Sequence, residues 1–200
     1  MTNEWESARL LLRCLEARDQ HTLKHSLIVA QKAYELAGSL DLVPEDMFLA
    51  GLLHDIGKIA MGDDILKSSR RLSSGEKYIL NEHVIEGFNI LKESAFSYST
   101  LDFCLYHHER LNGKGYPYGV QDIPLEGRLA AVVDVYSALS LPRKYHPKNY
   151  KQEEVIEVML NEQRETQGYD AYILSMLINN VERHLHYGHI HNSMTKTSNV

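Results

Sequence analysis

His107-His108-Glu109-Arg110-Leu111-Asn112-Gly113-Lys114-Gly115-Tyr116-Pro117 is the stretch on which the reading of this chain turns. Two adjacent imidazoles close an apolar run (Leu101, Phe103, Leu105, Tyr106), and a loop with two glycines, a lysine, a tyrosine and a proline follows at once. Successive helix residues point about 100° apart. Both rings therefore serve one locus only if it is broad, such as a metal cluster at a helix end. Gly113 and Gly115 permit backbone conformations that other residues avoid, and Pro117 stiffens the exit. Taken alone, the pair also fits a surface turn after a helix, because histidine is a common exposed residue.

Outward from this stretch, other polar residues interrupt apolar helical patterns. His25 lies among Leu23, Leu27 and Val29, and His54-Asp55 follows Leu52-Leu53. His83 sits between Ile79-Leu80 and Val84-Ile85, and Asp134 is embedded in Leu129-Ala130-Ala131-Val132-Val133-Asp134-Val135. Each has a bland explanation when taken singly. A core histidine can bond a carbonyl, and Asp134 can pair with Arg128 or cap a neighbouring helix. Buried carboxylates are nevertheless rare unless paired or metal-bound. His25, His54, Asp55, His83, His107, His108 and Asp134 together form a donor set of imidazoles and carboxylates, which suits Fe, Mn, Zn, Co or Ni.

The apolar periodicity predicts helices over residues 4–17, 20–38, 44–54, 74–92, 97–108, 125–140, 151–164 and 170–187, with a short turn of helix near 63–66. Pro44 and Pro124 open two of them, and Ser73 with Glu76 has the capping-box spacing. Nothing alternates like a strand. The expectation is an all-α, single-domain helical bundle of about seven helices. Residues 1–18 form an N-terminal helix that packs on the core or serves a partner, 19–187 the main domain, and 188–200 a frayed tail.

Composition narrows the class. A chain of 200 residues with 44% hydrophobic content suits one soluble domain with a real core. No apolar run reaches the roughly 20 residues of a membrane span, and the N-terminus has no signal-peptide pattern. Cys14 and Cys104 are too few for a disulfide framework, so a reducing cytoplasm fits. A net charge of −6 argues against polymeric nucleic acid, though not against a small anionic ligand at a local positive site.

The order His25 … His54-Asp55 … His83 … His107-His108 … Asp134 resembles that of the HD phosphohydrolase superfamily. The stretch from His107 to Pro117 resembles the HHExxxGxGYP signature of its HD-GYP family. Ala17-Arg18-Asp19, Ile56-Gly57-Lys58, Ile123-Pro124-Leu125 and Thr166-Gln167-Gly168-Tyr169-Asp170 fall in the expected places, and the resemblance covers residues 15–185. It implies a metal-dependent phosphodiesterase that cleaves cyclic di-GMP to pGpG, with GMP as a further product left open, in bacterial second-messenger signalling. His25, His54, Asp55 and Asp134 would hold one divalent ion. His83, His107, His108 and a bridging Asp55 would hold the second, with Fe or Mn expected and Zn, Ni or Co accepted. A third ion through His21 is an outside alternative.

By the same resemblance Asp55 and Lys58 are catalytic, Lys58 as phosphate contact or proton donor. Tyr116, Arg143 and His146 contact the ligand, and Glu109 and Asp19 orient ligand histidines. The chain departs from the pattern at His146, where a Lys or Arg is usual, at Ser137 and at Tyr118, which both replace an Asp. An upstream sensory, receiver or GGDEF-type partner is implied as well. Two other readings stay open: a catalytically weak module that binds cyclic dinucleotides, and an HD phosphohydrolase acting on another nucleotide.

Overall fold

Asp19 opens the helix that carries His25. In the computed structural model, which describes residues 2–141 and 150–196, its carboxylate accepts from the backbone N–H of His21 and Thr22 at 3.1 and 3.3 Å. It also accepts from the Thr22 hydroxyl at 2.7 Å. This N-cap satisfies donors that the first helical turn leaves free. Asp19 therefore acts on backbone rather than on a histidine ring.

The described residues form ten α-helices and no strand: α1 (Thr2–Arg18), α2 (Gln20–Ala37), α3 (Pro44–Leu53), α4 (Asp63–Leu66), α5 (Ser74–Asn81), α6 (His83–Glu93), α7 (Tyr98–Tyr106), α8 (Leu125–Ser140), α9 (Gln152–Thr166) and α10 (Ala171–Lys196). Short 3-10 turns cover Gly38–Leu40 and Ile56–Ala60. The all-α expectation holds. The count is ten rather than about seven: to the eight spans expected, Asp63–Leu66 adds a helix of its own, and the expected helix over 74–92 is two. The two meet at Glu82, where the His83 Nδ1 lies 2.7 Å from the Leu80 carbonyl, an oxygen that also accepts a backbone N–H at the end of α5.

Other boundaries follow their chemistry. The Ser73–Glu76 capping box forms with both reciprocal bonds, and Pro44 stands at the start of α3. Gly38 does not stop α2 by a left-handed turn. The chain tightens into 3-10 form, and Asp41 takes the left-handed conformation instead. The last helix runs past Gly188 to Lys196 rather than ending at 187, because extending a formed helix is far easier than nucleating one.

Two apolar clusters hold the bundle. One joins Val29 and Ala33 of α2, Met47 of α3, Phe103 of α7, Val132 and Val133 of α8, Met159 of α9 and Ile173 and Leu177 of α10. The other joins Leu15 of α1, Leu49 and Leu53 of α3, Ile56, Leu91 of α6 and Cys104 of α7. Fully burying each large aliphatic or aromatic side chain is worth about 1.5–3 kcal/mol. Helices α2, α3 and α7 contribute to both clusters and so form the middle of the bundle. The N-terminal helix α1 packs in the second cluster, and its Glu4 accepts from the Ser97 N–H at the start of α7 at 2.7 Å. No helix among the described residues is long and apolar enough to cross a membrane.

Candidate metal centre

The ends of α3 and α7 reach the same place. His54 follows the last residue of α3 and His107 the last residue of α7, with ring centroids 5.0 Å apart. Helix C-termini carry partial negative charge and favour a cation beside them. His83 comes from the first residue of α6, His25 from the middle of α2, and Asp134 from the middle of α8. All seven residues expected from the sequence meet here.

They meet as two groups. His25, His54 and Asp55 form one, and His83, His107 and His108 the other, with the donor atoms of each within 4.8 Å of one another. Asp134 joins the first: its Oδ1 lies 2.9 Å from His25 Nε2 and 3.8 Å from His54 Nε2. Its Oδ2 lies 3.6 Å from His108 Nδ1. Asp55 faces both groups. Its Oδ2 lies 3.7 and 3.5 Å from the Nε2 atoms of His25 and His54. Its Oδ1 lies 3.2 and 3.9 Å from those of His83 and His107. His21 borders the adjoining cavity but belongs to neither group.

Three of the rings are aimed by one device. His54, His83 and His107 each place Nδ1 at the carbonyl three residues back: Gly51 at 2.8 Å, Leu80 at 2.7 Å and Cys104 at 2.5 Å. A carbonyl only accepts, so the neutral ring keeps its proton on Nδ1 and presents a bare Nε2. The Nε2 atoms of His83 and His107 face one another at 3.3 Å. Two lone pairs at that distance call for a cation between them. Asp55 Oδ1, buried and accepting no hydrogen bond, makes the same demand. The donor set thus fits divalent metal on both sides of Asp55.

Charge states agree with this fit. Burial opposes ionisation of Asp55, but Lys58, His54 and His83 outweigh it and hold the carboxyl well below the usual range. Burial likewise opposes ionisation of Asp134, but the neighbouring His25, His54 and His108 outweigh it and hold the carboxyl well below the usual range. Burial and neighbouring imidazoles keep His107 neutral far below its ordinary pKa. Burial pushes His108 down to about 3 against the pull of Asp134. For His54, burial acts downward, yet Asp55 and Asp134 win and its pKa is raised. Two carboxylates and at least two neutral imidazoles therefore face one another at neutral pH.

Lys58 Nζ lies 2.5 Å from Asp55 Oδ2, at the edge of the centre. Tyr116 stacks on His108 with centroids 4.5 Å apart, and burial with the nearby carboxylates keeps its phenol protonated. A cavity of about 220 Å³ opens beside them, lined by His21, Thr22, His25, Lys58, His108 and Asp134. Arg143 and His146 lie outside the described residues.

The loop after His108 is held by Glu109, which is fully buried. Its Oε1 accepts from the backbone N–H of Tyr118 at 2.7 Å and of Gly119 at 3.0 Å. Glu109 thus fastens the loop rather than a histidine. Gly113 takes a φ of 72°, as its position in the turn requires. Gly115 is needed for another reason: a Cβ there would meet the Glu109 Cα at 2.4 Å and the His108 carbonyl at 2.5 Å. Arg128 pairs with Asp170 at 2.8 Å, which leaves Asp134 to the histidines. Ser137, read from the sequence only as a departure, packs against His25 with Oγ 2.9 Å from Nδ1. Its spacing of three from Asp134 on one helix was the available signal.

The profile of the HD domain family matches residues 9–173. A cyclic di-GMP phosphodiesterase of Pseudomonas aeruginosa is 39% identical over 145 residues, covering 70% of this chain and 35% of that protein. A 3'3'-cGAMP-specific phosphodiesterase of Vibrio cholerae is 34% identical over 161 residues, covering 78% of this chain and 37% of that protein. The chain thus spans about a third of the length of these curated relatives. Among solved structures, the HD domain of the Listeria monocytogenes phosphodiesterase PgpH, in complex with cyclic-di-AMP, superposes with a TM-score of 0.68 at 19% identity. That match covers 88% of this chain and 94% of that one, and it carries the likeness of fold. With the profile spanning all seven convergent residues and the helical order shared, the chain belongs to the HD domain family.

Proposed function

We propose that the chain is a metal-dependent phosphodiesterase that hydrolyses cyclic di-GMP to pGpG, of the HD-GYP branch. The observation that carries this reading is the buried Asp55 carboxylate, which turns one oxygen to each of two histidine groups, next to a cavity that His25, Lys58, His108 and Asp134 line. Bacterial relatives named as cyclic di-GMP phosphodiesterases support the substrate. The His107–Pro117 stretch supports the branch.

His25, His54, Asp55 and Asp134 would hold one ion, and His83, His107, His108 and Asp55 the other, with iron or manganese as the native metals. When bound, such ions supply Lewis-acid charge for phosphate oxygens and activate water near neutral pH. The chain's own residues do the rest. The cavity is smaller than the about 300 Å³ at which ligand pockets usually begin, so it takes the reacting phosphodiester while the bases lie across its rim. Water adds to phosphorus and the bond to the ribose oxygen breaks. Lys58, at the cavity edge, gives that leaving oxygen its proton. Tyr116, stacked on His108 and protonated, donates a hydrogen bond toward the ligand. Arg143 clamps a second phosphate bidentately, and His146 assists when protonated.

A second substrate reading has its own support, because several relatives of similar identity are named 3'3'-cGAMP-specific phosphodiesterases. The test is metal analysis of protein purified without oxygen, followed by a product assay on cyclic di-GMP and 3'3'-cGAMP in parallel. Two ions per chain and conversion of cyclic di-GMP to pGpG are expected. Preferential cleavage of 3'3'-cGAMP would replace the substrate, and a metal-loaded chain that cleaves neither would leave a binding module.

A further inference from the structure

Four rings point Nε2 into the centre, and one of them is mounted differently. His54, His83 and His107 hold Nδ1 against carbonyl oxygens, which fixes the tautomer. His25 instead holds Nδ1 2.9 Å from the hydroxyl oxygen of Ser137, a fully buried residue of α8. A hydroxyl both donates and accepts. The same oxygen lies 3.1 Å from the His25 carbonyl.

Two complete hydrogen-bond arrangements follow. With the Ser137 proton on the His25 carbonyl, its oxygen accepts Nδ1–H, and Nε2 is bare and ready to ligate. With the Ser137 proton turned to Nδ1, the ring carries its hydrogen on Nε2, where Asp134 Oδ1 accepts it at 2.9 Å. The second arrangement gives both ring nitrogens of His25 a partner without a metal. Facing Nε2 atoms occur in both groups, His25 with His54 and His83 with His107, each pair at 3.3 Å; what His83 and His107 lack is a hydroxyl behind Nδ1.

We propose that Ser137 is the positioning residue for His25, and that its hydroxyl lets this ring alone of the four exchange tautomer when metal loads. The inference rests on the metal-centre reading above. Its consequence is an order of loading. The His83–His107–His108 group fills first, because carbonyls already fix its His83 and His107 rings with Nε2 presented and neither has a tautomer to change. The group containing His25 fills second and more weakly, because an ion there must displace a hydrogen bond already made. Partners behind ligand histidines typically change metal affinity by about 10–100-fold, and an effect of that size is expected here.

Zinc, which is diamagnetic, serves as the probe. Titration of metal-free protein against a chelating indicator should give two steps. Ser137→Ala should weaken the weaker step about 10–100-fold and leave the tighter one unchanged, while Ser137→Thr, which keeps the hydroxyl, should restore it. Long-range proton–nitrogen spectra of 15N-histidine-labelled wild-type protein need no variant that must fold. One ring, assigned by its loss in His25→Gln, should pass from Nε2–H to Nδ1–H as the second zinc binds, while the other three stay Nδ1–H. A wild-type chain that takes up no zinc overturns the metal-centre reading and this inference with it. A chain that takes up two overturns this inference alone if Ser137→Ala shifts both steps or neither, or if the His25 ring is Nδ1–H throughout.

Discussion

Gly57 lies against the backbone of His83. A Cβ built on Gly57 would fall 1.9 Å from the His83 carbonyl oxygen and 2.4 Å from the Gly87 nitrogen. The segment that follows Asp55 and the start of α6 are therefore locked at contact distance, which sets how far His83 stands from Asp55. Backbone cannot yield as a flexible side chain can. Gly57→Ala should cost about 3 kcal/mol or more, lowering the melting temperature by about 6–12 °C for a chain of this size. It should also reduce bound metal from two ions to one, by moving His83. Melting curves with metal counts check this, and an unchanged count in the folded variant would show that the contact does not set the site.

Asp55 and Lys58 touch one another yet should fail in different ways. Asp55→Ala should leave no metal above background and no turnover, since its two oxygens face both histidine groups. Lys58→Ala should keep both ions and lose about 10²–10⁴-fold in kcat, the usual worth of a general acid. Metal analysis beside single-turnover kinetics separates the two. Loss of metal from Lys58→Ala would move Lys58 into the ligand set.

Glu109 should act on binding rather than on metal. Removing its carboxylate leaves the Tyr118 and Gly119 N–H groups without their acceptor, each at a cost of about 1–3 kcal/mol. The loop that carries Tyr116 then loosens. Glu109→Ala should raise KM with metal content intact, and Glu109→Gln, which keeps an acceptor oxygen, should recover most of the loss. Steady-state kinetics on metal-replete protein would reveal the opposite split if Glu109 instead supports the ligands.

The metal-free fold should weaken in acid. His107 and His108 have folded pKa values below their ordinary 6.5, His108 at about 3. Between those values the unfolded chain binds more protons than the folded one, so stability present above pH 6.5 is lost as pH falls toward 3. His54, raised, works the other way: its contribution is present below 6.5 and lost as pH rises through the folded value. Two lowered rings against one raised predict a net loss on acidification. Denaturant melts of chelator-treated protein at about pH 7.5, 6 and 5 test the sign, and stability that rises toward pH 5 would refute it.

The ligand set was legible because burial punishes unpaired polar groups. His25, His83 and Asp134 interrupt apolar helical stripes and so announced themselves, and the HHExxxGxGYP resemblance tied them to His54, Asp55, His107 and His108. Helix starts were legible wherever a cap is chemical, as at Pro44 and Ser73. The break at Glu82 was not, because no glycine or proline stands beside it and the apolar periodicity runs through it. Glu109 was read as a partner of histidine, yet it binds backbone ten residues away in a loop whose path no periodicity encodes. Ser137 meets His25 across two helices, and that contact exists only once α2 and α8 have packed.

The bond from Nδ1 to the carbonyl three residues back means that His54, His83 and His107 each take their aim from their own stretch of chain. The centre is in that respect modular. Damage to one mounting leaves the other two pointing as before. Such a centre degrades one ligand at a time rather than collapsing as a unit, and a member that lost one ring would inherit the rest already aligned.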